Sequence, residues 1–153
     1  MLLIENPLNS SELVFPVLEC FHIVGFAFSV GTVAIVNFRL MGLGLTNETP
    51  AQLWKDTQWW TLGGLILMIF TGLLLFSSDP DNYYLNYAFL LKMLFLVLAI
   101  VYNYTAVRKT AASNPPPGGG KTVGIIAMTL WACVVFGGIF IGFLTSTLDI
   151  NHI

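Results

Sequence analysis

The chain reads as an all-α integral membrane protein, a four-helix bundle with both termini on the extracytoplasmic side. Four apolar stretches, at about 12–38, 54–77, 84–107 and 122–148, approach or exceed the roughly 20 residues a helix needs to cross the hydrocarbon core. Charged residues make up only 9% of the chain and apolar residues 56%, whereas soluble domains carry about 25% charged residues. The mean hydropathy is +0.81. The third observation is where the basic residues fall. With four spans, the 1–2 and 3–4 loops share a side that holds Arg39, Lys55, Arg108, Lys109 and Lys121. The other side has no Lys or Arg but carries Glu5, Glu12, Asp79, Asp81 and Asp149. The positive-inside rule puts the basic loops in the cytoplasm.

In chain order, Asn9-Ser10-Ser11-Glu12 reads as a helix N-cap with an acidic first turn, and Pro16 is tolerated soon after it. The first helix should run past Arg39 and stop at Gly42 and Gly44. Pro50 opens the second helix at a position where proline is favoured. Trp54, Trp59 and Trp60 read as an interfacial aromatic belt at its cytoplasmic end. The run from Ser77 through Asp79-Pro80-Asp81 to Asn82 is a polar turn, and Tyr83 and Tyr84 anchor a third helix that ends near Arg108-Lys109. The segment from Asn114 through three prolines to Gly120 is a flexible linker. The fourth helix runs to about Leu148, with His152 in a short solvated tail. The whole is expected to be one four-span domain. No cleaved signal peptide is expected, because the N-terminus lacks Lys and Arg and the first apolar segment is longer than an h-region of about 7–15 residues.

Several function classes drop out. The net charge of −2 gives no basic surface for nucleic acid. Gly119-Gly120-Lys121-Thr122 mimics the end of a P-loop, but the glycine required five residues before Gly120 is Pro115, so no nucleotide site is expected. Cys20 and Cys133 have no CxxC or Cys/His spacing and read as buried apolar residues. No broken helices or inverted repeat point to a channel or secondary transporter.

The chemistry concentrates in three ionisable residues at membrane depth, where such groups are rare and costly. His22 lies about 15 Å, and Lys92 about 12 Å, below the outer ends of their predicted helices. Met68 and the pair Gly138 and Gly142, with Gly137 beside them, fall in the same layer. Glu19 is three residues from His22 and shares its helical face. Glu19 and Lys92 would form either a structural ion pair or part of a site. His22 would be either a hydrogen-bonded core histidine or a neutral imidazole ligand for haem or copper. Met68 and Met93 are apolar filler or soft ligands, and the glycine pair serves helix packing or a flat ligand. Arg39 caps its helix near the headgroups or meets an anionic group there. Asn37 and Asn103 are expected to hydrogen-bond between helices.

The run His22-Ile23-Val24-Gly25-Phe26-Ala27-Phe28-Ser29-Val30-Gly31, continuing to Phe38-Arg39-Leu40, resembles the first helix of small bacterial membrane proteins related to the copper-resistance CopD family and HemJ-type protoporphyrinogen oxidases. Leu91-Lys92-Met93-Leu94-Phe95-Leu96-Val97-Leu98 is similar to their lysine-bearing helix. The resemblance covers two of the four helices. It implies a bacterial inner-membrane protein in which His22 coordinates haem b or a metal, with Lys92 close by. This chain departs from the pattern in having no second intramembrane histidine. A sixth haem ligand would therefore be Met68, Met93, Lys92 or a partner's residue, or would be absent. The HemJ-type histidines near the helix ends are also not matched. The leading expectation is a b-type haem protein or subunit in membrane electron transfer. The alternatives are a copper-handling protein and a non-catalytic structural subunit. The partners expected are the lipid bilayer and either further copies of the chain or a larger membrane complex.

Overall fold

The computed structural model describes residues 13–45, 47–78, 80, 83, 86–113 and 118–150, with side-chain surroundings up to Ile141. Among these residues, four helices are long and apolar enough to span a membrane. They are α1 (Val14–Leu40), α2 (Pro50–Ser78), α3 (Tyr87–Ala112) and α4 (Gly120–Ile150). Together they form an all-α four-helix bundle of antiparallel neighbours. The Asn9–Glu12 cap, the turn at Asp79 and 81–82, Tyr84, the 114–117 linker and His152 lie outside the described residues.

Helix boundaries follow local chemistry. α1 ends in the short turn where Gly42 (φ +80°) and Gly44 (φ +68°) take the left-handed backbone that glycine adopts without penalty. Arg39 ties that turn down, its Nε donating to the Glu48 carbonyl at 2.6 Å. Thr49 caps α2, accepting from the Gln52 amide at 3.2 Å, directly before Pro50. α3 starts at Tyr87, three residues later than the tyrosine pattern predicts. The reason is Asn86, whose side chain accepts from the Ala88 amide at 2.9 Å and fixes the N-cap there. α3 also departs from a regular helix at Asn103–Val107, where it widens into one π turn before resuming as Arg108–Ala112. No Gly or Pro marks that turn in the sequence.

α1 packs most extensively on α2, and α3 on α4; α1 and α4 join the two pairs. α2 meets α3 through Arg108–Ala112 at the basic-loop end. The α1–α2 crossing is a backbone contact. A Cβ on Gly64 would lie 2.6 Å from the Ser29 nitrogen and 2.7 Å from the Gly25 carbonyl oxygen, and one on Gly25 would lie 2.8 Å from the Met68 nitrogen. In lipid, where apolar burial gives little drive to association, such close approach supplies the packing contacts that hold helices together. One turn towards the basic loops, Thr32 and Thr61 share a 2.7 Å hydroxyl–hydroxyl bond across the same seam.

The interior holds two apolar clusters. One contains Val33, Leu65, Met68, Leu96, Ala99, Trp131 and Val134; the other, nearer the basic loops, contains Val36, Leu40, Val107, Ala111 and Ala127. Asn37 and Asn103 are buried between these clusters along their helices, and here the bonding differs from expectation. Asn37 Nδ2 donates to the Val33 carbonyl of its own helix at 2.9 Å. Its Oδ1 and both polar atoms of Asn103 are unpaired, as is buried Trp131 Nε1. Of the three belt tryptophans, Trp59 and Trp60 face outward, with Trp60 stacked on Phe28. Trp54 instead turns inward, its ring edge-on to Tyr104.

Candidate functional site

The ionisable residues gather at the termini end of the bundle, about 8–12 Å inside the described helix ends at 1.5 Å per residue. Each helix pair contributes one half.

From α1 and α2 come His22, Thr71 and Gly72. Helix α1 is largely exposed from Leu13 to Val24, and His22 is the half-buried residue one turn before the buried stripe that begins at Gly25. Its Nδ1 lies 3.1 Å from Thr71 Oγ1. Thr71 Oγ1 also lies 2.7 Å from the Leu67 carbonyl oxygen and 3.2 Å from the Met68 carbonyl oxygen, so its one proton can be donated to its own helix. With the proton so donated, Thr71 accepts from the imidazole. That arrangement puts the hydrogen of the neutral ring on Nδ1 and leaves the lone pair on Nε2; the Met68 backbone also bonds the ring. The ring lies on Gly72, where an added Cβ would come within 3.0 Å of His22 Cε1. Any larger residue at 72 would displace it.

From α3 and α4 come Lys92, Gly137 and Gly138. Lys92 occupies the buried face of α3, in register with Ala88, Leu96 and Ala99. Its stem lies against Gly137 and its ammonium over Gly138, and the charge is within electrostatic reach of His22.

The other predicted residues fall differently. Glu19 is exposed and stands apart from Lys92, so it neither pairs with the lysine nor lines the site. Met68 is buried in the larger apolar cluster directly below the site, while Met93 is exposed. Arg39 is at the opposite end, holding the 1–2 turn. Gly142 continues α4 one turn beyond Gly138, and its surroundings lie outside the described residues. Cys20 is exposed and Cys133 half-buried, both as free thiols. Among the described residues, no three His, Cys, Asp or Glu side chains come together.

Two members of the site were not singled out in the sequence. Thr71 looks ordinary there because a threonine in an apolar helix commonly bonds the carbonyl four residues back, which it also does here. Gly72 has no partner small residue at helical spacing to draw attention.

The comparisons with known proteins set the family and little more. A family of unknown function, DUF6644, matches residues 14–144. The chain belongs to DUF6644. The match runs from the start of α1 past the glycines of α4, so the whole site falls within it. No curated protein and no solved structure matches the chain.

Proposed function

We propose that this DUF6644 protein is a bacterial inner-membrane subunit that carries haem b on His22 and serves electron transfer. We further propose that its basic loops are cytoplasmic and both termini periplasmic. The observation that carries the reading is the 3.1 Å His22 Nδ1–Thr71 Oγ1 bond, which makes Nε2 available as a ligand when Nδ1 carries the ring hydrogen. Histidines that ligate metals nearly always donate their other ring nitrogen to an oxygen acceptor, which fixes tautomer and orientation. Thr71 supplies that acceptor from a neighbouring helix.

The residue that would hold a haem, from one face, is His22. His22 would provide the axial nitrogen. Gly72 is covered by the His22 ring and Gly137 by the Lys92 stem, so the glycines seat these two side chains. Haem supplies one-electron chemistry when bound. The chain's part is to hold the imidazole in one tautomer, to surround it with apolar helix and to keep water from its interior side. The described residues offer no second histidine opposite, which favours a single protein ligand. Met68, packed among Leu65, Leu96, Trp131 and Val134, serves better as the apolar floor. The same placement weakens the copper alternative, since the soft ligands it needs are committed to the core (Met68) or exposed to lipid (Met93).

The structural-subunit alternative draws on a different observation: at most 28% of any spanning window is buried within one chain. Much helix surface is left for lipid or for further subunits, and membership of a homo-oligomer or larger complex is compatible with either reading. Purified protein expressed with ample haem should show a Soret band and b-type reduced peaks that His22→Ala abolishes. Colourless wild-type protein would leave the structural reading standing.

A further inference from the structure

The α1–α2 pair also shapes a second surface, on its outer side. An apolar groove of about 440 Å³ runs between the two helices, lined by Val24, Phe28, Trp59, Trp60, Gly63 and Leu67. That volume is within the range of about 300–1,000 Å³ that small-molecule sites occupy. Phe28 and Trp60 stack across the seam, with 5.9 Å between ring centroids. Gly63 keeps the groove open. A Cβ added there would meet nothing within 4 Å, so no helix contact requires the glycine, although glycine within a helix is costly relative to alanine.

Two stripes lead from the groove to the basic-loop end. On α2, Leu67, Gly63, Trp60 and Asp56 follow one another at helical spacing; on α1, Val24, Phe28, Ile35 and Arg39 do so. The Thr32–Thr61 bond fixes the register of the pair. From it Arg39 is seven residues, and Asp56 five, towards the same end, which puts them within about 3 Å of each other in depth. Arg39 commits Nε to the Glu48 carbonyl, and its two terminal nitrogens carry further donors. Asp56 is exposed. Lys55 is beside the Trp59 edge, about 100° round the helix from Asp56. From Trp59 to Leu67 the groove is about 12 Å long, close to the roughly 15 Å of one leaflet, half of the hydrocarbon core.

We propose that this groove holds one phosphatidylethanolamine molecule of the leaflet at the basic-loop end. Its acyl chain lies along Gly63, its phosphate meets Arg39 and its ammonium meets Asp56. A headgroup of both charges matches a mouth of both charges, whereas an anionic headgroup without an amine would meet the Asp56 carboxylate unfavourably. The site is independent of the reading of His22.

The test uses the full chain, stripped of lipid in mild detergent. It is titrated with phosphatidylethanolamine or phosphatidylglycerol of matched acyl chains, and bound lipid is counted by native mass spectrometry. One phosphatidylethanolamine should be retained, about two- to fivefold more tightly than phosphatidylglycerol, the scale of an exposed ion pair. Asp56→Asn should erase the preference while the groove still takes lipid. Gly63→Phe fills the groove and should lose the retained molecule; Val97→Phe, on exposed α3 surface, should keep it. Equal retention of the two lipids, or a preference for phosphatidylglycerol, would overturn the proposal, as would unchanged retention in Gly63→Phe. Wild type that retains no lipid, as a monomer or as a dimer whose second copy fills the groove, would also overturn it. If Gly63→Phe does not fold, Asp56→Asn decides: a preference that survives it overturns the headgroup assignment and the proposal with it.

Discussion

Thr71 Oγ1 lies 3.1 Å from His22 Nδ1 and 2.7 Å from the Leu67 carbonyl oxygen, so a hydroxyl that donates to its own helix accepts from the ring. A valine has nearly the same shape and no acceptor. Thr71→Val should therefore keep the packing against His22 while freeing the ring to rotate or change tautomer. Losses of this outer contact typically weaken metal binding by about 10–100-fold. Haem affinity of Thr71→Val should fall in that range while its thermal midpoint stays near wild type; unchanged affinity would mean that Thr71 does not orient the ligand. At this scale the sequence was informative about charge and uninformative about contact. His22 and Lys92 stood out because ionisable side chains at membrane depth are rare. Glu19 stood out for the same reason, yet the first turns of α1 lie outside the packed stripe that starts at Gly25, and depth along a helix does not show which turns are covered.

At the level of elements, the α1–α2 pair depends on Gly25 and Gly64, while their neighbour Gly63 faces open space. Gly64→Ala would drive a methyl group into backbone atoms of α1, which cannot yield as a flexible side chain would. It should destabilise the protein by about 1–3 kcal/mol, the usual cost of overpacking, and Gly63→Ala should not; thermal melts of the two variants in the same detergent compare them directly. Similar effects from both would contradict the observed crossing. In α3 the π turn begins at Asn103, whose side chain is 1% exposed and whose polar atoms have no partner. Unpaired buried groups cost more than their apolar replacements of similar shape. Asn103→Leu is therefore expected to hold or raise the thermal midpoint, and a clear fall would show that the asparagine is satisfied in solution. The helices themselves were legible because membrane-length apolar runs are a property of one segment at a time. The α3 start was displaced by the Asn86 cap, which competed with a stronger-looking tyrosine pair. The π turn had no local signal, since it arises from how α3 meets its neighbours.

For the whole molecule, the asymmetry of charge is the strongest global signal: five basic residues at one end and the candidate site at the other. A cysteine at Gly118, in a background with Cys20→Ser and Cys133→Ser, should react with an impermeant maleimide only after intact cells are opened. Reaction in intact cells would invert the topology and put the site on the cytoplasmic side. Membership of DUF6644 covers residues 14–144, so the bundle and its site are properties of the matched region as a unit.

If His22 holds a haem, chemical rescue should reveal it. His22→Gly removes the ring and leaves space beside Gly72 where free imidazole can bind. This variant should lose the b-type spectrum, and added imidazole should restore it, because the ligand is supplied without the side chain. A spectrum that survives in His22→Gly without imidazole would rule out His22 as the ligand, since the haem would then be held by another residue.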